Sequence, residues 1–234
     1  YVSGKMMEFN IRVDKTEGNG KYRLTLVSES IAPWENDLQS HDATATEYVV
    51  INSTAGHLKD SIVASHKDIA MVKCMKVTGT INVYDFIIMR DSMPKLTALN
   101  LKNVRIKRIY NYTVGGVGYW TDHAEDDVLP FNSFTGKRTL TSFAFPDVLK
   151  RIDVGAFAGA GLKGSLNIPE GVVEIGDEAF ARSDFTGVLT LPSTLKKIGD
   201  SAFSECCFIC PLNLPDGIEE IESRCFYNCR YLYG

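Results

Sequence analysis

Phe134, Phe157, Phe180, Phe203 and Phe226 stand 23 residues apart, and nothing else in the chain limits its fold as much. Leu129, Ile152, Ile175, Ile198 and Ile221 keep the same interval, as do Pro146, Pro169, Pro192 and Pro215. Three further columns agree: Leu149, Val172, Leu195 and Ile218; Phe143, Leu166, Leu189 and Leu212; Phe145, Ile168, Leu191 and Leu214. With 12 Phe among 234 residues, four more in register by chance is roughly a one-in-a-hundred-thousand event, so the period is real. A unit of this size buries too little apolar surface to stand alone. About five of them, stacked face to face, share one continuous core with a Phe ladder inside.

Residues 165–183 show how one unit is built. Ser165-Leu-Asn-Ile168 alternates polar and apolar residues, the signature of a strand with one buried face. Pro169 ends it, having no N–H for a ladder bond. Val172 and Ile175 supply a second apolar pair, and Gly176-Asp177 predicts a short helical turn with Asp177 as N-cap. Ala179 and Phe180 face inward from that turn, Ala being small enough for neighbouring turns to approach. Neighbouring strands then lie about 4.8 Å apart and pair in parallel.

A variant of the unit stands upstream. Leu96-Thr-Ala-Leu99-Asn-Leu101 follows L-x-x-L-x-L, and Val72, Met75 and Val77 precede its three leucines by 24 residues. A strand at 72–77 is therefore expected to stack beside it. Asn82 to Met93 predicts a helix, with Asn82 as N-cap, Asp85 three residues on and Pro94 beyond the end. Residues 107–128 are too long for a standard connection. They hold Tyr119, Trp120, three glycines (115, 116, 118) and Glu125-Asp126-Asp127, and are expected to form an insertion loop.

The run Leu189-Thr-Leu-Pro192 through Ala202-Phe203 gives L-x-L-P-x-x-L-x-x-I-G-x-x-A-F, which resembles the BspA-like leucine-rich repeat. Val77 to Asn82, Asp85-Phe86, Arg90-Asp91 and Leu96 to Asn103 are similar to the N-terminal cap of such proteins from gut Bacteroides. The resemblance covers roughly residues 50–234. It implies a secreted or surface-anchored bacterial protein, located on the outer surface with its leader removed. It also implies adhesion or host-protein binding, and no enzyme. The expected fold is an α/β repeat solenoid, a parallel-sheet horseshoe over 49–234, behind a β-rich N-terminal segment over 1–48.

In that segment Met7, Phe9, Ile11 and Val13 alternate with polar residues, and so do Tyr22, Leu24 and Leu26. The turn-rich connector between them makes 6–28 a hairpin candidate. Glu47 to Ile51 offers a third strand. The hairpin is expected to cover the open end of the solenoid, the alternative being a remnant of a neighbouring domain. The net charge of −4, with acids and bases interspersed, argues against binding nucleic acid, which needs a basic surface. No stretch reaches the roughly 18 apolar residues of a membrane span, and the first residues do not read as a signal peptide.

Five of the six Cys fall between 206 and 229. Cys206 and Cys229 share a column with Ala160 and Ser183, and Cys225 sits where Ala156, Ala179 and Ala202 do. That register explains them as small packed residues. A Cys206–Cys229 disulfide across stacked units and a tetrahedral zinc site drawn from Cys206, Cys207, Cys210, Cys225 and Cys229 are the alternatives. His41, His57, His66 and His123 show no metal spacing. His123 beside the acidic run could hold a hard cation, though it lacks the spaced ladder of a calcium loop. Gly115-Gly-Val-Gly118 has no following Lys-Ser/Thr and does not open a helix, so it is no phosphate loop. No nucleophile–base pair can be placed, and no cofactor is called for.

Binding is expected where strand residues alternate outward: Ser142, Ala144, Ser165, Asn167, Val188, Thr190, Pro211 and Asn213. Such a flat, shallow face suits a protein or glycan of a host or neighbouring cell better than a small molecule. Tyr119 and Trp120, rigid aromatics beside flexible glycines, are the candidates for specificity on the insertion. The strand matching Leu212 and Leu214 would fall at 235 and 237, leaving the last unit a Phe rung and no strand. Tyr231, Leu232 and Tyr233 are then expected to fold over that end, or two chains to meet there. A recognition module is the leading reading, and a self-associating spacer of the cell envelope is the alternative.

Overall fold

The structure, a computed structural model, describes residues 10–15, 22–28, 48–109, 112–114, 117–119 and 126–233. Two compact units divide the chain, 1–37 and 38–234. In the first, β1 (Asn10–Lys15) and β2 (Tyr22–Ser28) form an antiparallel hairpin in which Ile11 faces Leu26 and Val13 faces Leu24. This is the hairpin that the alternation over 6–28 predicts.

The second unit begins with β3 (Val49–Ser53), α1 (Leu58–Ala64), β4 (Cys74–Ile81) and α2 (Val83–Asp91). The strand read near 47–51 thus belongs to the solenoid, where β3 pairs in parallel with β4. Next come β5 (Ala98–Asn100) and β6 (Val104–Ile106), both paired with β4, and Met75 faces Leu99 as the 24-residue spacing requires. Asn82 caps α2 with a full capping box. Buried Asp85 accepts from the N–H groups of Asn82 (2.8 Å), Gly56 (2.7 Å) and Leu58 (2.9 Å), so one carboxylate fixes the start of both helices.

The insertion carries a hairpin of β7 (Tyr112–Val114) and β8 (Val117–Tyr119). Beyond it, short strands alternate between two columns. The first column is β9 (Val128–Leu129), with its partners to follow; the second opens with β10 (Ser142–Ala144). In chain order come β11 (Arg151–Ile152), β12 (Leu166–Asn167), β13 (Glu174–Ile175), β14 (Leu189–Thr190) and β15 (Lys197–Ile198). Last are β16 (Cys210–Pro211), β17 (Glu220–Ile221) and β18 (Leu232–Tyr233). Strands β9, β11, β13, β15 and β17 make one five-stranded parallel sheet, with Ile152, Ile175, Ile198 and Ile221 in register. Leu166 faces Leu189 in the second column.

The third side of each unit is not the helical turn expected from Gly176-Asp177. Residues 177–182 form tandem turns, with Glu178 and Arg182 in the left-handed region at φ 50° and 57°. Alternate N–H groups close these turns, Ala179 to Gly176 and Ala181 to Glu178. The others donate to the next unit, Phe180 to Ala202 and Arg182 to Ser204, both at 2.8 Å. The backbone therefore spends half its donors on stacking, which a helix cannot do. Asp177 caps nothing in its own turn; its carboxylate accepts from Asp200 N–H at 2.9 Å, one unit on. Glycine is required at 199, since a Cβ there would lie 2.6 Å from Asp177 N.

Inside, Phe157 stacks on Phe134 and Phe180, and Phe203 on Phe180 and Phe226, with ring centroids 5.3–5.5 Å apart. Phe86 of α2 meets the first rung edge-on at 5.7 Å, so the helical start and the repeats share one core. The last unit does have a strand. β18 pairs with β16, Cys210 facing Leu232 and Pro211 facing Tyr233, 22 residues apart instead of 23. Residues 232 and 233 thus continue the ladder and do not fold over it, while Leu214, out of this register, is exposed.

Candidate recognition surface

The two strand columns carry opposite chemistries, the first as one five-stranded sheet and the second as separate pairs, β12 with β14 and β16 with β18. On the five-stranded sheet the outward positions are charged and paired across units. Arg151 meets Glu174 (3.1 Å) and Asp153 (3.6 Å), while Lys197 meets Glu220 (3.2 Å) and Glu222 (2.5 Å). Lys196 and Glu219 form another pair at 3.0 Å. The two carboxylates raise the Lys197 ammonium above its usual range.

The second column presents Ser165, Asn167, Val188, Thr190, Pro211 and Asn213 outward, all exposed. Lys163, Thr186 and Ile209 extend the same face, and Lys163 is its one charged group among these nine. Thr190 stands directly opposite Asn167, and Ser165 Oγ accepts from Val188 N–H at 3.0 Å. Ser142 is half-buried. Ala144, expected to be exposed, is buried; β10 pairs with β5, where Ala144 lies level with buried Asn100. Ser165, Asn167 and Thr190 thus share one strand pair, while Asn213 follows β16, which pairs with β18, and Ser142 lies on β10, which pairs with β5.

The insertion is held at its base. The Asp127 carboxylate, almost wholly buried, accepts from Arg105 Nη2 (2.7 Å), Arg105 Nε (3.1 Å) and Ile106 N–H (3.0 Å). Asp126 accepts from Lys107 Nζ (2.7 Å) and Arg108 N–H (3.1 Å), and these bonds hold its carboxyl below the usual range. The two acids read as a candidate cation site are thus committed to closing the loop. Tyr119 ends β8 opposite Tyr112. Trp120, His123 and Glu125 lie outside the described residues, as does His41. His57 sits beside Asp60 at 3.2 Å on the surface, and His66 follows α1 with φ 56°.

Buried Cys206 donates through its thiol to Phe180 O (3.2 Å), and Cys229 to Phe203 O (2.9 Å). Ser183, one unit earlier, makes the same bond to Phe157 O at 2.9 Å. From Ser183 onward the column thus uses a small donor to tie each turn to the unit before it. Burial pushes the Cys225 thiol up to about 12, with the neighbouring Cys229 and Asp200 adding to it. Among the described residues no three His, Cys, Asp or Glu side chains gather as metal ligands. A shallow groove of about 270 Å³ lies along the turns, lined by Arg138, Arg182, Asp184, Glu205 and Cys207 among others. Its two arginines are paired, Arg138 with Asp184 at 3.4 Å and Arg182 with Glu178 at 3.0 Å.

The charge ladder was the feature that reading the columns for apolar residues missed. Arg151 and Glu174, like Lys197 and Glu220, are 23 residues apart, so the same period applied to charge would have found it. The insertion clamp had no such signal, since its partners lie 22 and 19 residues apart across a non-repeating loop.

No helix among the described residues is long and apolar enough to cross a membrane. Residues 128–233 match the family model of the BspA type leucine-rich repeat region in six copies, one more than the Phe ladder counts. No curated protein matches the chain. A solved structure of a leucine-rich repeat protein from Bacteroides ovatus is similar at 21% identity and a TM-score of 0.50. The match covers 97% of this chain but 51% of that one, so the chain spans about half the length of its structural neighbour. At this identity the likeness shows the fold.

Proposed function

With residues 128–233 built from BspA type leucine-rich repeats, we propose that the chain is a cell-surface recognition and adhesion module. Its partner is a protein or glycan of a host or neighbouring cell, met by the second-column strand face and the insertion hairpin. One observation supports the reading: the repeats neutralise the five-stranded sheet with ion pairs and leave on the second column an exposed face with one charged group among nine outward positions. An extended, shallow surface suits the recognition of other surfaces better than the enclosure of a small substrate. The reading gives the chain no catalytic step and places it outside the cell.

The test is binding of the purified chain to immobilised extracellular-matrix proteins and glycans, alongside a Tyr119→Ala/Trp120→Ala variant. A saturable partner, weakened in the variant, supports recognition with the hairpin taking part. Silence across the panel together with concentration-dependent self-association would replace it with a spacer of the cell envelope.

A further inference from the structure

We infer that Cys206 and Cys229 are a redox pair: free thiols in this structure, they close to a disulfide across two stacked units when a small disulfide oxidises them. Their column supplies the first reason. Ala160, Ser183, Cys206 and Cys229 occupy one position of successive units. Ser183 donates to a carbonyl of the preceding unit just as the two thiols do. A hydroxyl thus meets the column's need for a donor. What sulfur adds is the capacity to bond to another sulfur, and it appears here in two neighbouring units.

The stacking supplies the second. Phe203 and Phe226 of the same two units lie 5.4 Å apart and 5° from parallel, and beside the pair Glu205 N–H donates to Tyr227 O at 2.8 Å. Residues 206 and 229, in the same register, take the same step from unit to unit. A step of that size falls within the roughly 4.4–6.8 Å between Cα atoms that a disulfide spans. The Cys229 thiol is moreover aimed at Phe203 O (2.9 Å), a carbonyl of the unit that holds Cys206. Cys206 is fully buried and Cys229 half-buried, which sets the order of events. The Cys229 thiolate attacks one sulfur of the small disulfide, breaking its S–S bond and releasing one thiolate. The Cys206 thiolate then attacks the Cys229 sulfur of that mixed disulfide and releases the second. Each protein thiol gives its proton to solvent, the pair loses two electrons, and the small disulfide gains them as it leaves as two thiols.

Incubation of the folded full chain with oxidised glutathione tests this, with free thiols alkylated afterwards and the peptides weighed. The peptides holding residues 206 and 229 should be recovered joined, on the order of hours after mixing because both sulfurs are sheltered, and dithiothreitol should separate them. Cys206→Ser and Cys229→Ser keep a donor, as Ser183 does, so both variants should fold and neither should give the link. Cys207→Ser removes the exposed thiol beside the pair and should keep it. In the parent chain, oxidation should raise the urea midpoint and shift the folding equilibrium by roughly a hundredfold, as expected for closing a loop of this length. The serine variants at 206 and 229 should show no such rise. Glutathione held on Cys207 with no link between the two units would overturn the inference. So would a link that survives Cys206→Ser, or one that leaves the urea midpoint of the parent chain unchanged or lowers it.

Discussion

The rings of Phe180 and Phe203 lie face to face, 5.4 Å between centroids and 2° from parallel, although 23 residues separate them. Each unit places its Phe on the same turn, so the stacking of rings and the pairing of backbones enforce one another. Both rings are fully buried, and Phe226 at the last described rung is half-buried.

Phe180→Ala should therefore cost about 3–5 kcal/mol, the usual loss for an emptied aromatic site. Phe226→Ala should cost clearly less. Urea unfolding followed by circular dichroism measures both; equal losses would mean that the ladder is not a cumulative core.

Lys137 is buried and donates to Arg90 O (2.8 Å) and Met93 O (2.6 Å), closing the C-terminal end of α2. Burial lowers its ammonium pKa, with Asp91 opposing that shift. Lys137→Met leaves both carbonyls without this donor, and a loss of about 1.5–3 kcal/mol is expected in the same unfolding assay. A neutral outcome would show that α2 does not depend on the junction.

Asp127→Ala removes the acceptor of the buried Ile106 N–H, a loss of about 1–3 kcal/mol. It also frees Arg105, so limited proteolysis should cut within 107–126 sooner than in the parent chain. Asp126→Asn should accelerate cleavage more mildly. Acidification should act the same way: a carboxylate with a lowered pKa contributes above its unfolded value of 3.8 and loses that contribution as pH falls through its folded value. An unchanged cleavage pattern would mean that the clamp does not hold the insertion.

The buried thiols make a prediction at alkaline pH. Cys225 rises from 9.0 to about 12, and Cys206 is raised as well, burial being the larger cause in both. A raised folded pKa gives stability that is complete below the unfolded value and lost as pH rises through the folded one. Stability should thus decline as pH rises from 9.0 toward 12. Cys225→Ala, the residue its column otherwise carries, should reduce that decline and leave neutral stability nearly unchanged. Six titratable thiols in urea without reductant accompany this account; two missing ones would restore the Cys206–Cys229 disulfide.

The apolar columns made the repeat, the parallel register and the inward Phe rungs legible, because burial imposes one residue type on every unit. Asn82 and Asp85 marked the start of α2 for the same local reason that caps have few chemical solutions. The turns at 177–182 were read as helical because Asp followed by small and apolar residues is also how helices begin. What decides against a helix is backbone donation to the next unit, and that pairing leaves no mark in a single repeat. Alternation predicts an exposed Ala144, yet it is buried on a strand that joins the N-terminal sheet, a long-range pairing that alternation does not encode. The one-residue slip at Leu232 was hidden for a similar reason, since the column was extended at a fixed 23.

The claim that the second-column face is the recognition surface is tested most directly by one comparison. Parent chain, Asn167→Ala/Thr190→Ala/Asn213→Ala, and Lys197→Ala/Arg151→Ala on the charged sheet are each measured for saturable binding over one panel of matrix proteins and glycans. The account predicts a partner for the parent chain, lost or weakened at least several-fold in the first variant and kept in the second if that variant remains folded. A partner retained by the first variant and lost from a folded second one would contradict it.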